Sequence, residues 1–387
     1  MFWLFPILSL IGSTVSNFTH HRVFNGACFG IYRTAALHWW HSLPIYTGSG
    51  FGFVYFPHCA ILMLVFAALP LLVGYCLYHA LSIGTLAYAT FRFCGLLDCS
   101  IRSKGYFLAS LFVAVLAQAP ILNSQLHVLT TGVLLLAMVN LYEESYWFSA
   151  MLLVLAVMLK PTSLIVFLLT IPLFKQLTPK VLLLLALALL LPFICQSPSY
   201  VWQQYLACVH SFHASMLSDA TNINIWATFV HLFSLVFHVQ LTGTEAFALR
   251  FLMALLALVA CCLARLYLPR KSAVFFIFAL GMSYLMLFNS RTENNDYVMV
   301  APALAYSLAL AMQFKRWRVV VFHWMVFALL AGNWSFSKLV TPHHTHWMCP
   351  FAVTLYAFYL LTVLMLQCWH GFQRRREAMA VSIQQTV

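Results

Sequence analysis

Apolar runs fill most of this chain, and short polar breaks divide them. The runs are Met1–Ser16, Pro70–Phe91, Tyr106–Pro120, Gln125–Leu141, Tyr146–Leu159, Thr162–Phe174, Val181–Phe193, Glu245–Ala264, Val274–Phe288, Tyr297–Met312, Val319–Gly332 and Pro350–His370. None alternates like a barrel strand, and Val181–Leu191 is apolar at every position. In a bilayer such runs must satisfy their own backbone hydrogen bonds, so they predict helices. The expected fold is an all-α, polytopic transmembrane helical bundle of about 12 spans, although several runs fall short of the ~20 residues of a full crossing.

Two further apolar runs, Phe56–Leu69 and Ile225–Val239, admit two topologies. If neither crosses, 14 of the 20 Lys and Arg residues fall on one face; if both cross, the faces carry ten each. The positive-inside rule selects the first, with both termini cytoplasmic and the two runs lying as juxtamembrane helices on the outer face. His231 and His238, seven apart on one helical face, suit an interfacial helix.

Composition agrees. The 387 residues are 63% hydrophobic and 7% charged, with a mean hydropathy of +0.91. The net charge of +12 reads as cytoplasmic connectors, and no basic segment interleaves with aromatics in a way that fits nucleic acid. The 11 cysteines form no C-x-x-C pair and read as small apolar fillers. Met1–Ser16 has no Lys or Arg ahead of it, so it reads as an uncleaved first span rather than a signal peptide. The chain is expected to form one integral-membrane domain over 1–387. Its first outer loop is 17–69, its second is 195–244, and 371–387 is a cytoplasmic tail begun by Arg374, Arg375 and Arg376.

Ionisable residues are scarce, so their clusters stand out. Asn289–Pro302 packs Arg291, Glu293 and Asp296 between two apolar runs, and charge at a membrane boundary is costly enough to suggest a function. Glu293 and Asp296, three apart at a helix start, share a face near Arg291. Lys160 occupies a tight outer turn before Pro161. Asp219 lies in a polar turn, and Glu245 reads as a helix-start acid. Glu143 and Glu144 read as a solvated inner connector. Pro342–His346 carries three histidines without a nearby carboxylate, so it reads as an interfacial loop rather than a metal site. No metal or cofactor is expected.

The first outer segment adds Arg33-Thr34-Ala35-Ala36, Leu43-Pro44-Ile45-Tyr46 and Gly52-Phe53-Val54-Tyr55-Phe56-Pro57-His58, leading into Ala68-Leu69-Pro70. This series resembles the first periplasmic loop of glycosyltransferase family 87. Asn123-Ser124-Gln125 with Gly132–Asn140 resembles the family's Gly-Gln-Asn helix. Leu159-Lys160-Pro161-Thr162 resembles its Lys-Pro-Thr turn, and Asn289–Pro302 its late outer loop. The resemblance runs through residues 27–310. It implies a C-type glycosyltransferase architecture, a polyprenyl-phosphate sugar donor (typically mannose), a glycan or glycolipid acceptor, and a bacterial inner membrane.

Such chemistry needs cations for the donor phosphate and a carboxylate to deprotonate the acceptor hydroxyl. Arg33, Lys160 and Arg291 suit the phosphate, and the matched motifs add Tyr55, His58, Asn123 and Gln125 as substrate-binding candidates. The family's early aspartate is missing, because Asn17–Tyr55 holds no Asp or Glu. Glu293 is therefore the first candidate base, followed by Asp296 and Asp219, with His20 or His21 as alternatives. A transporter or lipid flippase, and a non-catalytic relative, are the competing readings. No internal repeat of the transporter kind is present.

Overall fold

The computed structural model describes residues 2–19, 28–47, 52–97, 99–217, 229, 233, 236–238, 243–289, 292–340 and 347–386. Asp219, Arg291, His20, His21, the 341–346 histidine tract and most of 225–239 lie outside them. The described chain is helical almost throughout. Its helices are α1 (Leu4–Thr19), α2 (Cys28–Trp40), α3 (Pro57–Ala67), α4 (Leu71–Cys94), α5 (Cys99–Leu122), α6 (His127–Tyr142), α7 (Tyr146–Leu159), α8 (Leu164–Thr170), α9 (Thr178–Cys195) and α10 (Pro198–Leu217). They continue as α11 (Gly243–Tyr267), α12 (Arg270–Phe288), α13 (Ala301–Gln313), α14 (Trp317–Val340) and α15 (Met348–Thr386). Each of the twelve apolar runs coincides with one of these helices.

The number of crossings is a different matter. Among the described residues, 6 helices are long and apolar enough to cross a membrane: α4, Arg102–Leu122 of α5, α9, α11, α12 and Met348–Gln373 of α15. Pro57–Ala67, His127–Tyr142, Tyr146–Leu159, Pro161–Leu173 and Trp317–Gly332 are shorter apolar helices. At 1.5 Å per residue they run about 16–24 Å, against a hydrocarbon core of about 30 Å. Length and composition thus support six of the twelve expected spans. With 11 residues, α3 is the shortest of these apolar helices.

Proline sets many of the boundaries. Pro57 starts α3, and Pro70 and Pro269 cap α4 and α12; a helix start is the position where a missing N–H costs nothing. Pro161 and Pro172 make 3-10 turns on either side of α8, so the sixth apolar run is a broken helix. A longer 3-10 turn, Asn294–Met299, joins α12 to α13.

α12 is the central helix, with 83% of its apolar window buried inside the protein. The corresponding shares for α9 and α11 are 11% and 17%, which leaves their leucine-rich faces for lipid. Close packing between α4 and α6 depends on Gly132. A Cβ there would stand 2.9 Å from the backbone nitrogen of Leu86, the small-residue approach typical of membrane helices.

One end of the bundle carries a basic clamp. Arg92, at the end of α4, donates to both carboxylate oxygens of Glu143 at 2.8 Å. Arg270, at the start of α12, pairs with Glu144 and donates to Leu141 O at 2.7 Å and Tyr146 OH at 3.1 Å. The two glutamates expected to be a solvated connector are exposed, and each is also ion-paired. Packing brings the ends of α4 and α12 to the α6–α7 turn, a proximity with no trace in the local sequence.

Candidate active site

The opposite end of α6 carries the other ionic cluster. Its 16 residues separate the two ends by about 24 Å. Here α5 ends, α6 begins, α7 reaches Lys160, and α12 gives way to the 3-10 turn Asn294–Met299.

The α5–α6 link is shaped first. Ser124 adopts the left-handed backbone conformation, with φ of 56°, unusual for a residue with a side chain. Its carbonyl accepts from Tyr78 OH at 3.2 Å, and its hydroxyl bonds His79 Nε2 at 3.1 Å. The carbonyl of Asn123 accepts from the Cys28 N–H at 3.2 Å, tying α2 to the same link. Gln125 and His127 leave this fixed turn in the direction of the 3-10 segment.

Gln125 Nε2 donates to Glu293 Oε2 at 2.9 Å. Glu293 caps the 3-10 turn: its side chain accepts from the backbone N–H of Asp296, while its own N–H donates to Asp296 Oδ2 at 2.7 Å. This reciprocal box satisfies two donors that a helix start otherwise leaves open.

The other oxygen of Asp296, Oδ1, accepts from Lys160 Nζ at 2.7 Å. His127 Nε2 contacts both that oxygen and the ammonium. All three side chains are buried. Burial by itself raises the Asp296 pKa, but the neighbouring His127 and Lys160, with hydrogen bonds from Lys160 and the Glu293 N–H, hold it below its ordinary value. Asp296 is thus an ionised anchor. Lys160 holds that anchor, so its charge is already committed within the protein.

Around the cluster lie buried polar atoms with no hydrogen-bond partner among the described residues: Gln125 Oε1, His127 Nδ1, Thr162 Oγ1, Ser163 Oγ and Thr292 Oγ1. Unpaired buried groups are costly. They adjoin, in sequence, Lys160, Glu293 and the α6 start.

α2 and the segment before α3 carry further candidate residues. Burial, then the charge of Glu293, pushes the Cys28 thiol up to about 11. Burial also raises the Tyr55 phenol, with Glu293 among the smaller contributors. Tyr55 OH lies 3.3 Å from Tyr32 OH. Arg33 Nη2 donates to Leu69 O at 3.4 Å, while its buried Nε has no partner among the described residues.

The structure therefore brings Glu293, Asp296, Lys160 and Gln125 into one bonded group, with Tyr55 in electrostatic reach of it. Asn123 belongs through its backbone and exposes its side chain. His58 faces elsewhere, bonding Ala188 O of α9 at 2.9 Å, with Tyr205 OH at 3.5 Å. Asp219 and Arg291 are outside the described residues. His127 is the member that sequence reading missed. Its one signal was an ionisable side chain near the start of an apolar run, two residues after Gln125. Among the described residues no group of three metal-ligating side chains occurs.

A profile of glycosyltransferase family 87 matches residues 53–290, more than half of the chain. The matched stretch includes Tyr55, His58, Gln125, His127 and Lys160, and ends three residues before Glu293. No curated protein matches the chain.

Proposed function

The chain belongs to glycosyltransferase family 87, and we propose that it transfers a hexose, mannose first among candidates, from a polyprenyl-phosphate donor to a glycan or glycolipid on the outer membrane face. Glu293 is the general base. It takes the proton of the acceptor hydroxyl as that oxygen bonds to the anomeric carbon. The carbon–oxygen bond to the donor phosphate breaks, and the lipid phosphate leaves with the electron pair. One carboxylate suffices for this single inverting displacement.

The observation that carries the reading is the 2.9 Å bond from Gln125 to Glu293. It fixes a half-buried carboxylate among unpaired polar atoms at the end of α6 remote from the basic clamp. That polarity supports an outward-facing site with cytoplasmic termini, in the inner membrane of a bacterium. Arg33 and Arg291 are the cations assigned to the donor phosphate, where a guanidinium offers two donors at once. Lys160 contributes through Asp296, and Tyr55 and the Asn123 backbone stand beside the site. Asp219 is the reserve base.

A second reading, a non-catalytic relative, is favoured by one feature: Asn17–Tyr55 contains no acid. The test is sugar transfer by the purified protein in lipid. It receives radiolabelled polyprenyl-phosphate mannose and a crude membrane-glycan acceptor, beside Glu293→Gln. Transfer by the wild type, reduced about 10²–10⁴-fold in the variant, is expected. Equal transfer by both moves the base to another residue. Donor binding without transfer in either supports the non-catalytic relative.

A further inference from the structure

We infer that His127 is a positioning residue for Glu293, acting through Asp296. The inference rests on the assignment of Glu293 as base and adds the residue that holds it in place. Gln125 and His127, two apart at the start of α6, grip the two ends of Glu293 separately. Gln125 Nε2 donates to the carboxylate at 2.9 Å. His127 Nε2 contacts Asp296 Oδ1, and Asp296 Oδ2 accepts from the Glu293 backbone N–H at 2.7 Å.

Glu293 caps a 3-10 turn in extended backbone rather than lying on a long helix, so its place is set by these bonds more than by regular structure. Lys160 supplies charge to the same oxygen at 2.7 Å, but its stem is flexible. The imidazole is rigid and wholly enclosed, and it sits on the same short stretch as Gln125. One stretch of backbone, fixed by the Ser124 turn, therefore sets both the height and the direction of the carboxylate. A displacement of about 1 Å at a reacting group costs roughly 10²-fold in rate.

The inference is tested with His127→Leu, which keeps bulk and removes the Nε2 contact with Asp296 Oδ1 and Lys160 Nζ, and with His127→Gln, whose amide nitrogen replaces Nε2. His127→Asn, too short to reach Asp296, serves if the leucine variant does not fold. Amide exchange over 292–299, measured on the full protein in lipid without donor, is expected to rise in His127→Leu and to return in His127→Gln. With donor and acceptor, kcat is expected to fall about 10–10²-fold with KM for the donor kept, and His127→Gln is expected to recover most of it. In a Glu293→Gln background the His127→Leu loss is expected to vanish, since it acts only through that carboxylate. Unchanged exchange in His127→Leu overturns the anchoring. An equal loss in both backgrounds overturns its action through Glu293. Undiminished transfer by Glu293→Gln alone overturns the base assignment, so the two failures are read separately.

Discussion

Lys160 Nζ lies 2.7 Å from Asp296 Oδ1 although the two residues are 136 positions apart. Both are buried, so each charge depends on the other. Losing one partner of such a pair leaves the survivor uncompensated, at a cost of about 3–5 kcal/mol. Lys160→Met is therefore expected to lower the melting temperature of the lipid-embedded protein sharply. Lys160→Met with Asp296→Leu is expected to be milder than the single lysine change. Thermal unfolding followed by tryptophan fluorescence decides, and additive losses would falsify the coupling.

The same pair predicts an acid limb. The Asp296 pKa is depressed from 3.8 in the folded protein. A depressed carboxylate adds stability that is present above its unfolded pKa and disappears as pH falls through its folded one. Stability is expected to lose this contribution progressively below about pH 4, continuing beneath the unfolded value. Asp296→Asn removes that contribution and flattens this part of the profile. Melting temperatures of both proteins between neutrality and strong acid measure it, and parallel curves would refute it.

Gln125 supplies one charge-assisted hydrogen bond to Glu293. Such bonds contribute about 1.5–3 kcal/mol, so Gln125→Leu is expected to reduce kcat roughly ten- to hundredfold. Gln125→Glu, which sets a second negative charge against Glu293, is expected to be worse. Steady-state transfer kinetics give the comparison, and full activity in the leucine variant would remove Gln125 from the site.

At the other end of α6 the two ion pairs are unequal. The Arg92–Glu143 pair is solvent-facing, with side chains 33% and 42% exposed, and such pairs contribute about 0–1 kcal/mol. Arg270 also binds Leu141 O and Tyr146 OH and lies over the Tyr146 and Phe174 rings. Arg270→Gln is expected to lower the melting temperature clearly, and Arg92→Gln barely. Besides Glu143, Arg92 meets Tyr88 by hydroxyl and ring, so similar shifts in the two variants would show that the Leu141, Tyr146 and Phe174 contacts of Arg270 add nothing further.

Gly132 allows α4 to meet α6 backbone to backbone. Gly132→Ala sets a Cβ 2.9 Å from Leu86 N, and overpacking of this sort costs about 1–3 kcal/mol. The helices must separate, which is expected to lower the melting temperature and, because α6 carries Gln125, transfer as well. An alanine variant with wild-type stability would show that the contact relaxes freely.

The sequence by itself determined the helices. The twelve apolar runs read as spans became helices, one of them broken at Pro172 where no break was expected. The prolines at 57, 70 and 161 marked where helices start or stop, because apolarity and a missing N–H act on the chain locally. It also singled out Lys160, Glu293 and Asp296, since polar groups at the ends of apolar runs are conspicuous, while Gln125 came only from the resemblance to glycosyltransferase family 87. What the sequence left open was which of them meet. It did not reveal that Lys160 is occupied with Asp296, that His127 joins them, or that Glu143 and Glu144 are bound by Arg92 and Arg270. Nor did it settle how many helices cross, for helix ends near a membrane surface depend on what packs beside them. Ion pairs between residues more than a hundred positions apart exist only once helices have packed, because their distances are set by the packing and by nothing nearby in the chain.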